Sequence, residues 1–189
     1  DPGGNQVDSV MSRLCNGPAD IRYLQSLILC GIRGMAAYAY HAMILGYRDE
    51  TAEEFFYKAL LMIGGNYEME DLLPVVMEVG KVNLTYMELL DRANTETYGH
   101  PEITKVNIGT RKNPGILISG HDLNDLEMLL EQTQGTGVDL YTHSELLPAH
   151  YYPAFTTYPT FAGIYGNACL KHTQALDSFH CPTLIPHSC

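Results

Sequence analysis

Apolar residues recur at helical spacing over the first hundred positions and fall in short consecutive or alternating runs afterwards. Between residues 21 and 45 the large side chains Ile21, Leu24, Leu27, Ile28, Met35 and Ile44 are interleaved with Gly31, Gly34, Ala36, Ala37, Ala39 and Ala42. Small residues let a second helix approach closely, so this segment is expected to be a buried, central helix of a bundle, stopped by Gly46. A second helix is expected over about 51–63, with Glu53 and Glu54 in its first turn, Gly64 and Gly65 at its end, and a stripe of Phe55, Phe56, Ala59, Leu60 and Ile63. Helical stretches over 68–79 and 82–94 follow, separated by a break at Gly80, and the second turns Met87, Leu89 and Leu90 inward. Pro74 belongs near a first turn or kinks its helix. Residues 1–19, rich in Gly, Asn and Ser, have the pattern of a loose connection.

Beyond Pro101 the period changes. Strand-like runs at 103–108, 115–119, 138–142, 161–165 and 183–185 alternate with helical ones at 122–132 and 167–179. Strand, helix and strand within about thirty residues make a βαβ unit, whose crossover forces the strands to be parallel. The expected architecture is therefore a helical bundle domain over 1–101 followed by a partial parallel α/β domain over 102–189, an α + α/β chain.

In parallel sheets ligands collect beyond the carboxyl ends of the strands. Three residues able to bind metal follow strand ends there: His121, Glu145 and Cys189. Imidazole, carboxylate and thiolate together suit iron or zinc better than calcium or magnesium. Plainer roles are open to each: Asp122 capping a helix that His121 merely precedes, Glu145 complementing a helix dipole, and Cys189 as a buried thiol. His143 and His150 lie close enough in sequence to act as outer donors or to be ordinary satisfied polar groups.

Charge and cysteine usage narrow the setting. Twenty-two acidic residues against eleven basic ones leave no field for a phosphate backbone, so nucleic acid is excluded as a partner. Gln25, Arg33 and His41 interrupt the most apolar run, which argues against a membrane span. Five scattered cysteines do not make a disulfide framework, and a reducing, cytoplasmic setting is expected. Asp1 at one end, and an apolar strand running straight to Cys189 at the other, suggest an internal piece of a longer protein.

The run NTETYGHPEITKVNIGTRKNPGILISGHDLNDLEMLLEQTQGTGVDLYTHSELLPAHYYPAF, from Asn94 to Phe155, resembles the hybrid cluster protein (prismane, hydroxylamine reductase) family. The similarity extends back to DIRYLQSLILCGIRGMAAYAYHAMILGY and forward through GIYGNACLKHTQALDSFHCPTLIPHSC, so it covers nearly the whole chain after Asp20. It implies a helical domain and Rossmann-like domains. It also implies a hybrid iron–sulfur–oxygen cluster of the 4Fe-2O-2S type, held by His, two Glu and four Cys, and a second iron–sulfur cluster near the parent's amino terminus. Carried over by motif, the cluster ligands here are His121 of GHDL, Glu145 of YTHSE, and Cys189. The amino-terminal cysteine motif is absent, and the remaining ligands would lie beyond Cys189. Cys169, Cys181 and Ser188 stand where an aromatic, a Gly and an Asn are usual. The implied activity is reduction of hydroxylamine to ammonia, or of nitric oxide, with electrons from a donor protein. Rival readings are a mononuclear zinc or iron hydrolase using His121, Glu145 and His143 or His150, and a non-catalytic remnant that only folds or binds a partner through its helical half.

Overall fold

Pro18, at φ −55° and ψ 154°, carries the chain from extended backbone into α1, Ala19–Ile44. The computed structural model describes residues 17–166 and 177–185, and the chain divides into two units, Asp1–Ala93 and Asn94–Cys189. In the first unit α1 buries Ile21, Gln25, Ile28, Ile32, Met35 and Ala42, a single stripe at helical spacing. Gln25 Nε2 donates to the carbonyls of Met62 and Gly65, each at 3.1 Å, which ties α1 to the end of α2, Glu50–Gly64. α1 ends in a Schellman turn, with Gly46 at φ 88°, its N–H on Met43 O and the Tyr47 N–H on Ala42 O.

α1 is one-sided rather than buried all round. Tyr23, Leu27, Tyr40 and Met43 are exposed, as are Ala36 and Ala37. Close approach is needed at one small residue: a Cβ on Gly31 would meet Val79 Cγ1 at 2.4 Å, whereas one on Gly34 would meet nothing within 4 Å. By length and composition alone α1 could cross a membrane, with 22% of its most apolar window buried, but its buried stripe is engaged in the bundle core.

The break expected at Gly80 does not occur, because α3 runs unbroken over Met69–Tyr98 with Pro74 inside it. Leu72, Val75, Tyr86, Leu89 and Ala93 are buried, and Val79 and Val82 pack against the same core, so one seam at alternating three- and four-residue steps passes straight through the glycine. A Gly in a helix costs about 1 kcal/mol relative to Ala, less than continuous burial of that seam contributes. Met87 falls out of phase with it and is exposed, as is Leu60 on α2, against the inward orientation their patterns suggested.

The second unit holds the sheet. β1 (Gly115–Ser119), β2 (Asp139–His143), β3 (Phe161–Ile164) and β4 (Thr183–Leu184) lie in the order β3-β2-β1-β4, and every pairing is parallel. α4, Leu123–Gln132, connects β1 to β2. A 3₁₀ helix, Ser144–Tyr151, and the short α5, Pro153–Thr156, connect β2 to β3. β2 is buried along its whole length, as a central parallel strand should be. Phe155 packs on Tyr98 with ring centroids 4.8 Å apart, and burial raises the Tyr98 phenol above its usual range. Helices first and a parallel sheet after them make this an α + α/β chain. Most of the helix expected over 167–179 lies outside the described residues.

The strand expected over 103–108 is not formed, and Ile103 and Ile108 are exposed. Only Asn107 reaches the β3 edge: its carbonyl accepts from Ile164 N–H at 2.9 Å, and its Nδ2 donates to Ala162 O at 3.1 Å. β3 is irregular at this point, its register against β2 shifting between Leu140 and Tyr141, with Gly163 at φ 153°. A Cβ on Gly163 would lie 2.2 Å from Asn107 O. Backbone strain of about 1–3 kcal/mol and overpacking of about the same size add here. Gly163→Ala is therefore expected to destabilise the second unit by about 3 kcal/mol or more, read as a lower denaturant midpoint; an unchanged midpoint would refute the packing of Asn107 on β3.

Candidate metal centre

The two strands that precede His121 and Glu145 end level with each other, Ser119 opposite His143. Each strand is then followed by one residue at positive φ. Ser119 is followed by Gly120 at φ 146° and then His121, and His143 by Ser144 at φ 51° and then Glu145. Ser144 is the one non-glycine residue with positive φ among the described residues, a conformation that costs an L-residue about 1–2 kcal/mol. His121 and Glu145 thus stand two residues beyond paired strand ends, on adjacent strands about 4.8 Å apart, and both are exposed.

β4 runs parallel on the other side of β1, with Leu184 level with Ile118, so it leads toward the same edge. The strand order reverses between β1 and β4, and the crevice outside the carboxyl ends at such a reversal is where open α/β sheets hold ligands. Cys189, the third candidate ligand, lies outside the described residues.

Two pairs of polar side chains are enclosed beneath this edge. Ser119 Oγ and His143 Nδ1 lie 3.1 Å apart in the buried interior. Thr142 Oγ1 and His150 Nε2 are 2.7 Å apart, and the His150 ring stacks on Phe161 with centroids at 4.2 Å and planes 8° apart. The second of these bonds ties the 3₁₀ helix carrying Glu145 to β2. Asp122 caps α4, its Oδ1 accepting from the Asn124 and Asp125 N–H groups at 2.8 and 3.2 Å, as its position suggested. Glu145 is in the first turn of the 3₁₀ helix, where the Ser144 hydroxyl reaches its Oε1 at 3.5 Å.

Burial lowers the His150 pKa to about 4 from an ordinary 6.5. Between those values the unfolded chain takes up a proton that the folded chain refuses. Stability from this residue is therefore complete above pH 6.5 and is lost as the pH falls toward 4, by about 3 kcal/mol. The wild-type denaturant midpoint is expected to fall more steeply from pH 7 to pH 5 than that of His150→Gln; parallel slopes would contradict this.

An exposed imidazole and an exposed carboxylate leaving one edge are a donor pair that fits iron. No group of three or more His, Cys, Asp or Glu suited to a metal assembles among the described residues, so the pair needs at least one further donor, for which Cys189 is the candidate.

Residues 5–189 match the Prismane/CO dehydrogenase family. The chain belongs to that family. Similar proteins include the hydroxylamine reductases of Caldanaerobacter subterraneus subsp. tengcongensis, 57% identical over 171 residues, of Thermoanaerobacter pseudethanolicus, also 57% identical over 171 residues, and of Desulfovibrio desulfuricans, 56% identical over 171 residues. Each alignment covers 90% of this chain and 31% of the relative, so the chain spans about a third of the length of these prismane-family relatives.

Two features of the edge escaped the reading of residue types: Ser119, whose hydroxyl looks like an ordinary strand terminus, and Thr142, which looks like any β-branched strand residue. The GHDL glycine was a visible signal for a turn before His121, but nothing in Ser144 announced a positive φ.

Proposed function

We propose that this chain supplies His121, Glu145 and Cys189 to a hybrid iron–sulfur–oxygen cluster in an oxidoreductase that reduces hydroxylamine to ammonia. The observation that carries the reading is the level exit of His121 and Glu145 from paired strands at the switch edge. The family match and the names of the similar proteins support the reaction class. When bound, such a cluster supplies electrons and an open iron position for a small nitrogen compound. Reduction of hydroxylamine to ammonia and water takes two electrons and two protons; nitric oxide is a second candidate substrate for the same site.

The chain's own part is to hold and exclude. His121 offers a neutral ring nitrogen and Glu145 a harder carboxylate oxygen, a mixture that tolerates iron in more than one oxidation state. Ile118 of β1 and Leu146 and Ala149 of the 3₁₀ helix are buried, which gives this part of the unit an apolar interior. A donor protein delivering electrons, a second iron–sulfur cluster elsewhere in the polypeptide and a cytoplasmic setting complete the proposal. The free thiols Cys30 and Cys181 are compatible with a reducing compartment.

A mononuclear hydrolase would have to recruit His143 or His150, and those rings are enclosed against Ser119 and Thr142. The test is anaerobic purification of the native polypeptide that carries this sequence, metal and sulfide analysis, and a hydroxylamine assay with a reduced dye. Several irons with sulfide and dye-driven ammonia formation are expected. A single zinc without sulfide would overturn the proposal.

A further inference from the structure

We propose that the buried Ser119–His143 hydrogen bond is the positioning contact of this edge, the link that fixes the separation and aim of His121 and Glu145. The inference rests on the reading of those two residues as cluster ligands and names what holds them.

Ser119 and His143 are the last register pair of β1 and β2, and they are 1% and 0% exposed. Their side chains are joined at 3.1 Å, so the final rung of the ladder is closed by a side-chain bond in addition to backbone pairing. Beyond that rung each candidate ligand is reached through one intervening residue at positive φ, Gly120 on one strand and Ser144 on the other. Any relative slide of the two strand ends therefore passes directly to the two ligands. Ligand distances at a metal are held to within about 0.2 Å, whereas the ends of secondary elements open with little cost unless something ties them. In a buried site, with no water to compete, the tie is stronger than the same bond at the surface.

A bond that only completes the core would make a different prediction, which allows a test. In the native polypeptide, Ser119→Thr keeps the hydroxyl, and Ser119→Val has the same shape without it. Both are good strand residues, so the pair isolates the hydrogen bond. We expect the Thr variant to match the wild type in iron content, in its iron Mössbauer and electron paramagnetic resonance spectra, and in kcat. The Val variant is expected to stay folded with an altered iron spectrum and a kcat about 10–100-fold lower at similar KM, the scale on which removing a ligand-orienting partner acts. Identical spectra and kcat for Val and Thr, per folded molecule, would overturn the proposal. If either Ser119 variant does not fold, His143→Asn, whose side-chain amide lies near the Nδ1 position, against His143→Leu decides by the same criterion. His121→Ala separates the two levels. An iron spectrum unchanged by His121→Ala refutes the ligand reading itself, whereas a spectrum changed by it but equal in the Thr and Val variants refutes only the positioning role.

Discussion

His121→Ala in the native polypeptide is expected to lower hydroxylamine turnover by more than about 100-fold and to reduce iron content, since loss of a partner that merely orients a ligand already costs about 10–100-fold. Glu145→Gln, which keeps the shape and removes the charge, should fall in the same range. The effect should be concentrated in kcat and in the iron spectrum, because the two side chains emerge from level strand ends and neither is buried. Their replacement should leave the fold largely intact: His121 precedes the Asp122 cap without being part of it. Anaerobic activity with a reduced dye, iron and sulfide analysis and a thermal melt measure all three. Full iron with wild-type turnover in either variant would remove that residue from the ligand set.

The 189-residue chain by itself is expected neither to take up a stoichiometric cluster nor to reduce hydroxylamine. His121 and Glu145 are two of the proposed donors and Cys189 a third, whereas the resemblance implies a larger set of His, Glu and Cys. Binding free energy for a metal centre is realised when its donors are assembled together. The chain should also self-associate. Tyr23 and Leu27 on α1, Tyr57 and Leu61 on α2, and Met77 and Leu84 on α3 are exposed, and long helices carrying a second apolar face rarely remain unpaired in water. Reconstitution with iron and sulfide followed by an activity assay, and sedimentation of the apo chain, test both expectations. A monomer with stoichiometric iron and turnover would contradict them.

How much was legible before the structure varied with the range of the interaction involved. β1 and α4 were readable because Ile116-Leu117-Ile118, the Asp122 cap and the Leu126/Leu130 stripe are local patterns. The Gly80 break was misread because a single residue's propensity was weighed against local sequence. The seam from Leu72 to Ala93 outweighs it through packing on other helices. The 103–108 strand was misread for the opposite reason: its residues have strand character, but a strand exists only where a partner edge accepts it. Of that run only Asn107 bonds to irregular β3.

The sequence by itself determined the class of fold and the family, and it nominated an edge on which to look for chemistry. Helical and strand periods, and the rule that a βαβ crossover makes strands parallel, depend only on the order of residues. Tertiary structure decided the rest. That Ser119 lies opposite His143, that β4 returns beside β1, and that His143 and His150 turn inward onto Ser119 and Thr142 are facts of register and burial. Such facts arise when strands distant in sequence settle against each other and leave no water to satisfy their polar groups. Residue types nominated His121 and Glu145 one at a time; pairing across the sheet set the two strand ends that precede them level with each other.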